Sequence, residues 1–390
     1  MKTIRLLAAT VVLPWLLPVV AGEPASEPAN APLFETVQLE QAGDAGVHTY
    51  RIPAMTVAVD GTIVIAIDAR NHSGDDLPGD IDILIRRSSD NGRSWSPAQR
   101  VVDFKDGTGG GDGSLLTDRE TGRIFLFYAY APPGVGVFNS SADRDPASLT
   151  TQHPHLLWSD DHGRSWQGPR NLIAQIKPQG AHGMFATSGH GIQLSAHAPA
   201  HGRLLQPFAW LDGKRAMHAG NAWSDDHGAT WQMGPSIGSG LDENKAVELD
   251  DGRVLQNIRA FRKGNRRLVA VSRDGGIHFD AAAPEPALVD PRNNADIIRV
   301  HPDAAPGSRE AQMLLFSNTA HPTKRVDLTV RLSCDAGRTW PVVKRLLPGP
   351  AMYSTMARLA DGSFGILYEN GNARGISFAR FNLAWLGASC

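Results

Sequence analysis

Apolar positions in this chain come in short, nearly unbroken runs rather than at helical intervals. Residues 62–69 and 81–87 are rich in β-branched side chains, and residues 123–130 are rich in aromatics. The same texture returns at 254–260, 328–332 and 364–368. Runs of this length, bounded by turn residues, predict strands. Several follow an Asp-Gly pair (Asp60-Gly61, Asp251-Gly252, Asp361-Gly362), a strong short-range hairpin signal. Forty glycines and 26 prolines punctuate the strands, and no segment carries a long, capped amphipathic period. The expectation is an all-β chain.

A polar phrase recurs between the runs. Ser159 to Trp166 reads Ser-Asp-Asp-His-Gly-Arg-Ser-Trp, and its relatives begin at Ser88, Ser224, Ser272 and Ser333. All five fit Ser-x-Asp-x-Gly-x-x-aromatic, so they form an internal repeat. Within one unit, Asp161 can accept from backbone N–H groups ahead of it. Gly163 can take positive φ, and Trp166 is expected to be buried. That describes a hairpin turn with an aromatic anchor, not a reactive site. The starts lie 71, 65, 48 and 61 residues apart, a mean near 61. Each interval holds several short strands, the size of a propeller blade.

The first 22 residues read differently. Lys2 and Arg5 precede an apolar run over 6–20, and Ala21 and Gly22 offer a cleavage point, the pattern of a secretory signal. The run is 15 residues with two prolines, too short for a membrane span, so no stable membrane anchor is expected. A periplasmic or secreted location follows. Residues 23–32 are Pro/Ala/Glu-rich and read as a linker, leaving 33–390 as one domain. The 368 residues after the signal, at about 61 per unit, predict a six-bladed β-propeller with one blade lacking a box. A net charge of −2 gives no reason to expect nucleic acid as a partner. Two cysteines, Cys334 and Cys390, are not a disulfide framework, and a single bridge between them is left open.

The first chemical phrase is Tyr50-Arg51-Ile52-Pro53-Ala54. Together with five boxes it makes the chain resemble the bacterial exo-α-sialidases, the six-bladed neuraminidases, over nearly everything after the linker. The resemblance implies an enzyme that removes terminal sialic acids from glycoconjugates, with no cofactor. It also implies site residues. Asp76 matches the loop acid/base when counted back from the strand at 81–87, while counting forward from Arg70 favours Asp75. Arg70 resembles the arginine that bonds the sugar's 4-hydroxyl, and Asp112 a substrate-contacting aspartate, although Gly113 departs from the usual phrase. Glu243 and Arg259 fit a glutamate opening one strand and an arginine ending its partner, with Glu248 as an alternative base. Arg325 matches the third family arginine, and its competitor Arg331 is expected to be an exposed strand position. Tyr353 and Glu369 match the Tyr-Ser and Tyr-Glu phrases, with Glu369 holding the first arginine.

The chemistry of sialic acid suits this set. Its anomeric carboxylate calls for planar, bidentate cations, which arginine supplies. A tyrosine nucleophile is a named exception among retaining glycosidases, and a neutral phenol avoids repulsion by that carboxylate. Three other phrases carry less. Residues 106–113 are glycine-rich without the Lys-Ser/Thr of a phosphate loop and read as a rim loop. His182, His190, His197 and His201 have no ligand spacing for a metal, so none is expected. Gly234 to Gly238 matches a nucleophile elbow but lacks the strand-turn-helix context. The competing readings are a non-catalytic box propeller that binds sialic acid, an intramolecular trans-sialidase, or a hydrolase of the deaminated sugar.

Overall fold

Four-stranded antiparallel meanders build the chain, one after another. The computed structural model describes residues 31–104, 107–195, 200–371, 374–387 and 390. The signal expected at 1–22, most of the linker, Asp106 and His197 lie outside them.

Strand β1 (Phe34–Gln41) is followed by a sheet of β2 (Thr49–Val57), β3 (Ile63–Arg70), β4 (Ile81–Ser88) and β5 (Gln99–Val102). The second sheet holds β6 (Gly109–Thr117), β7 (Ile124–Ala131), β8 (His153–Ser159) and β9 (Gln167–Asn171). A third is built on β10 (Ala181–Ala186), with β11 (Gly189–His190) crossing to pair with β6 and β12 (Ile192–Gln193) returning. It continues through β13 (Leu204–Asp212), β14 (Met217–Ser224), β15 (Gln232–Met233) and β16 (Gly238–Ser239). The fourth is β17 (Leu241–Glu248), β18 (Val254–Ala260), β19 (Arg266–Ser272) and β20 (Ala283–Val289). Then β21 (Asp296–Arg299), β22 (Leu314–Thr319), β23 (Val326–Ser333), β24 (Val342–Arg358), β25 (Phe364–Asn370) and β26 (Gly375–Phe381) form one seven-stranded sheet with β1. The 17-residue β24 serves both parts of it: its first half pairs with β23 and its second with β25. Pairing of β1 with β26 joins the two ends of the described chain.

Inner strands stand side by side around an axis: β2 by β6, β6 by β10, β17 by β21, β21 by β24 and β24 by β2. The fold is an all-β, propeller-like ring. Each core lies between neighbouring sheets. Ile63, Ile65 and Ile67 of β3 pack on Leu367, Ile376 and Phe378 of the last sheet. From its other face, Val64 and Ala66 pack on Leu115 and Leu126 of the second. All eight residues of β3 are buried. Strands covered on both faces need no polar alternation, which is why the sequence shows runs. Each fully buried isoleucine is worth roughly 2 kcal/mol.

The boxes occupy the third-to-fourth strand turns. In all five, the serine hydroxyl donates to the aspartate and accepts from the glycine N–H; in the second, Ser159 Oγ to Asp161 Oδ1 and Gly163 N to Ser159 Oγ are both 2.8 Å. Gly163 has φ 79°, as expected. The anchors differ from expectation: Trp231 and Trp340 are buried, but Trp95, Trp166 and Phe279 are only partly so. Burial is shared with the glycine, which presses on a preceding sheet. A Cβ on Gly163 would sit 3.1 Å from Val64, and one on Gly92 or Gly228 would run into Phe378 or Phe125. The boxes are staples between sheets. The β25–β26–β1 part has none because its outermost strand comes from the other end of the described chain.

Two further expectations are corrected. The glycine run is not a rim loop from Gly109 onward but the inner strand β6. Its glycines let the backbone approach its neighbours: a Cβ on Gly110 would meet Val102 at 2.7 Å, and one on Gly111 would meet Asp68 at 3.0 Å. Arg331 is not exposed; it is 6% accessible and its Nη1 donates to Asn318 Oδ1 at 3.0 Å. Among the described residues, no helix is long and apolar enough to cross a membrane.

Candidate active site

One irregularity repeats around the ring. In β2, β6, β10, β17 and the second half of β24, the inner strand carries one residue more than its partner. The shifts fall between Arg51 and Ala54, Gly111 and Ser114, Ala181 and Met184, Leu241 and Asn244, and Ala351 and Ser354. A β-bulge bends its strand and re-aims a side chain. Here the bulges hold Arg51, Asp112, Glu243 and Tyr353, or adjoin them, and aim them at one mouth of the ring. Ile52 and Asp112 take left-handed backbone, φ 57° and 56°, which costs a non-glycine residue on the order of 1 kcal/mol. The register places the boxes at the opposite mouth, since Ser88 pairs with Ile63 and Ile63 with Val57.

Tyr353 is the centre. It is 7% exposed, and its Oη donates to Glu243 Oε2 at 2.8 Å. Arg259 Nη1 reaches the same phenol oxygen at 3.0 Å and Glu243 Oε2 at 2.5 Å. The Arg51 and Arg325 guanidinium carbons lie 5.1 and 5.7 Å from the Tyr353 ring centre. Three arginines from distant segments therefore meet around one ring. Burial pushes the Tyr353 phenol far up, Glu243 adds to this, and Arg259, Arg325 and Arg51 oppose it. The tyrosine is neutral at pH 7.

Each arginine is held differently. The Glu369 carboxylate is completely buried; it lies 3.3 Å from Arg51 Nε and accepts the Ile52 N–H at 2.8 Å. Arg259 Nε lies 3.3 Å from Asp242 Oδ2. Arg325 has no ion pair among the described residues and donates to the Arg292 carbonyl at 3.1 Å. Burial disfavours the Arg51 cation, but the Glu369 carboxylate, with Asp76 adding to it, favours it.

The loop between β3 and β4 brings Asp76, not Asp75, to this group. Asp76 Oδ1 lies 2.7 Å from Arg70 Nη2 and 3.6 Å from Arg51 Nη1, with its side chain 77% exposed at the mouth. Asp75 accepts from Ser73 Oγ at 2.9 Å. Crowding of the mouth would raise the Asp76 pKa, but Arg70 and Arg51 outweigh it and hold the carboxyl low. Glu248 is turned away, accepting from Ser195 N and Oγ at 2.8 and 2.6 Å.

Sequence reasoning missed the supports. Asp68 is buried, 3.6 Å from Arg70, and Asp112 N donates to it at 3.4 Å. Burial outweighs Arg70 and pushes the Asp68 carboxyl up to about 7; burial with Asp68 and Asp76 also raises Asp112 well above the usual range. Asp242 is pushed up to about 6 by burial against the pull of Arg259. Asn293 Nδ2 donates to the Met352 carbonyl at 2.7 Å, fixing the residue before Tyr353. Its only sequence signal was the polar Asn293-Asn294 pair ahead of an apolar strand. Beneath the site, buried Lys245 donates to the Ser188 carbonyl and Asn294 Oδ1, and His190 Nε2 lies 3.0 Å from Asp296 Oδ1. Among the described residues, no group of three or more His, Cys, Asp or Glu side chains could hold a metal ion.

A ring of sheets stapled by box turns, with an arginine-lined mouth, defines a BNR-repeat protein. The family model of the BNR repeat-like domain matches residues 61–366, and the chain belongs to that family. It is 45% identical over 390 residues to a sialidase of Micromonospora viridifaciens, covering 99% of this chain and 59% of that one. An exo-alpha-sialidase of Aspergillus fumigatus is 27% identical, covering 99% and 98%. The chain thus spans under two thirds of the Micromonospora relative. Among solved structures, Hadza microbial sialidase Hz136 is similar with TM-score 0.80 at 30% identity, covering 89% of this chain and 68% of that one. A leech intramolecular trans-sialidase matches with TM-score 0.79 at 19% identity, covering 90% and 71%, a likeness of fold alone.

Proposed function

We propose that this chain is a retaining exo-α-sialidase acting on terminal sialic acids of glycoproteins, glycolipids or oligosaccharides. The observation that carries the proposal is the hydrogen bond from Tyr353 to Glu243 inside a ring of three arginines. A binding propeller needs the arginines but not a buried nucleophile–base pair.

Arg51, Arg259 and Arg325 grip the substrate carboxylate, and Arg70 and Asp112 contact the far side of the sugar. Glu369 keeps Arg51 in place. Tyr353 Oη attacks the anomeric carbon while Glu243 takes its proton. Concerted removal is required because the buried phenol resists ionisation. Asp76 protonates the leaving glycosidic oxygen, so the sugar is transferred to Tyr353 and the glycan departs as an alcohol. Asp76, now a carboxylate, then deprotonates the water that attacks the same carbon, restoring Tyr353 and retaining configuration. Neutralisation of Arg51 by the bound carboxylate favours the protonated acid at the moment it is needed.

The seven-stranded sheet, counted as two parts sharing β24, supports six blades over residues 33–390. Residues 1–22 act in this reading as an export signal, leading to the periplasm or the exterior. Hydrolysis of a fluorogenic α-sialoside by wild type and Tyr353→Phe tests the mechanism, with product configuration read by proton NMR. Equal rates would sink it, as would a β-anomer released first. Absence of hydrolysis by the wild type would favour a binding propeller.

A further inference from the structure

The opposite mouth of the ring opens into a cavity of about 660 Å³, within the size of small-ligand sites. Strand ends from several sheets line it. Met55, Val57, Ile297 and Met356 are among its apolar residues, and Arg119, Arg299 and Arg358 among its charged ones. His190 is one of its lining residues, and its Nε2 lies 3.0 Å from the buried Asp296 Oδ1. Inner strands pass Arg51, Glu243 or Tyr353 first and reach the cavity residues only near their far ends. None of Arg51, Asp76, Glu243, Arg259, Arg325 and Tyr353 lines the cavity.

Its charges are unevenly matched. Glu248 is bonded to Ser195, Asp60 accepts the Thr62 N–H at 2.9 Å, and Asp303 faces Arg358 at 3.9 Å. Arg119 and Arg299, from different sheets, make no ion pair among the described residues. The Nε atoms of Arg299 and Arg358 are buried without a hydrogen-bond partner. Burial lowers the Arg299 pKa despite Glu248, Asp250 and Asp303, and the charge of Arg119 works in the same direction.

We propose that this rear cavity is a binding site for a small organic acid. Carboxylate oxygens meet Arg299 and Arg119 in the planar geometry guanidinium favours, and the carbon body rests on Val57 and the neighbouring apolar residues. This goes beyond the sialidase reading and does not depend on it.

Calorimetric titration with citrate tests the site, with inorganic sulfate as the control anion. Citrate also meets the arginines of the Tyr353 mouth, so the wild-type isotherm is expected to be biphasic. Arg119→Met, a change at an exposed position, is expected to weaken one phase by about tenfold and leave the other unchanged. Arg299→Met is expected to remove that phase. Both variants should hydrolyse a fluorogenic sialoside as the wild type does, which separates loss of the rear site from loss of fold or of the front site. A wild-type isotherm with one phase, or two phases that survive both substitutions, overturns the proposal. Sulfate filling the rear phase as tightly as citrate overturns the organic-acid assignment.

Discussion

Tyr353 Oη donates to Glu243 Oε2 across 2.8 Å from a strand 110 residues away in sequence. Each residue lies within a register shift of its inner strand, Leu241/Asn244 in β17 and Ala351/Ser354 in β24. Tyr353→Phe keeps the ring that Arg51 and Arg325 face and deletes only the oxygen proposed to attack. Sialoside turnover is expected to fall by at least about 10³-fold, with the unfolding midpoint near wild type. Glu243→Gln keeps a hydrogen-bonding side chain but no base and should cost about 10²-fold or more. Single-turnover fluorescence with parallel thermal melts checks both, and a Glu243→Gln variant of undiminished rate would remove Glu243 from the mechanism.

Glu369 acts through Arg51. Its carboxylate is fully buried and bonded to the Arg51 side chain and the Ile52 N–H. Glu369→Gln retains shape and loses the charge that fixes the guanidinium. The expected signature is a KM raised about tenfold, equivalent to roughly 1.4 kcal/mol of lost binding, with a smaller change in kcat. Steady-state kinetics over a range of sialoside concentrations resolves the split; a pure kcat effect contradicts the assignment.

Asp76 must be protonated to act as an acid, yet in the free protein Arg70 and Arg51 hold its carboxyl below the ordinary carboxylate range. The profile of kcat/KM reports the free protein, so activity is expected to decline as pH rises through that lowered pKa. Arg70→Met removes the nearest cation, 2.7 Å from Asp76. The declining limb should then move to higher pH, even though peak activity drops with the lost substrate contact. A limb that stays in place, or moves down, excludes Asp76 as the group responsible.

How much of this was legible in sequence follows from distance along the chain. Box turns and hairpins are local, so five repeats and an all-β chain could be read directly. Arg51, Arg259, Arg325, Glu243 and Tyr353 were legible one at a time through resemblance, and the structure gathers them around one phenol. The bulges were not, because a bulge is a mismatch between two strands and exists only once the register is known. Asp68 and Asp242 were missed for the same reason: each matters through an arginine it touches in the fold. The misreading of Arg331 has a different origin. Alternation predicts exposure for a sheet with one wet face, but strands here are covered on both sides, and Arg331 is buried against Asn318.

Asp161 belongs to stability rather than chemistry. Burial alone would raise its pKa, but hydrogen bonds from Ser165 and Ser159 outweigh this and bring it down to about 2. A carboxyl depressed in the folded state contributes stability that is full above its unfolded pKa, near 4. That contribution is lost as pH falls through the folded value. Acid unfolding of the wild type is therefore expected to steepen between about pH 4 and 2, with Asp90 and Asp274, also near 2, acting alongside. Asp161→Ala should cost about 1–2 kcal/mol, as loss of a comparable turn cap does, and flatten that acid dependence. Its kcat and KM at 25 °C should match wild type, because the boxes lie at the far mouth from Tyr353. A kinetic defect without a stability defect contradicts the staple assignment.

Cys334 and Cys390 are joined by a disulfide, with Cα atoms 5.6 Å apart and a separation of 56 positions in sequence. The bridge ties the fifth box to the segment after the short helix α1 (Leu383–Leu386), whose Leu386 packs in the same core as Leu332 and Phe381. A cross-link of that span removes loop-closure entropy from the unfolded chain worth about 4 kcal/mol. The double substitution Cys334→Ser/Cys390→Ser is expected to lower stability by an amount up to that figure, read as a shift in the denaturant midpoint. Dithiothreitol should shift the wild type and leave the double variant unchanged. Sialoside kinetics below the transition should be the same for both chains, since Cys334 lies in a box turn at the far mouth from Tyr353. Loss of activity in the folded double variant would mean that the bridge constrains the site itself, through the run of β24 that begins beside the fifth box and ends past Tyr353.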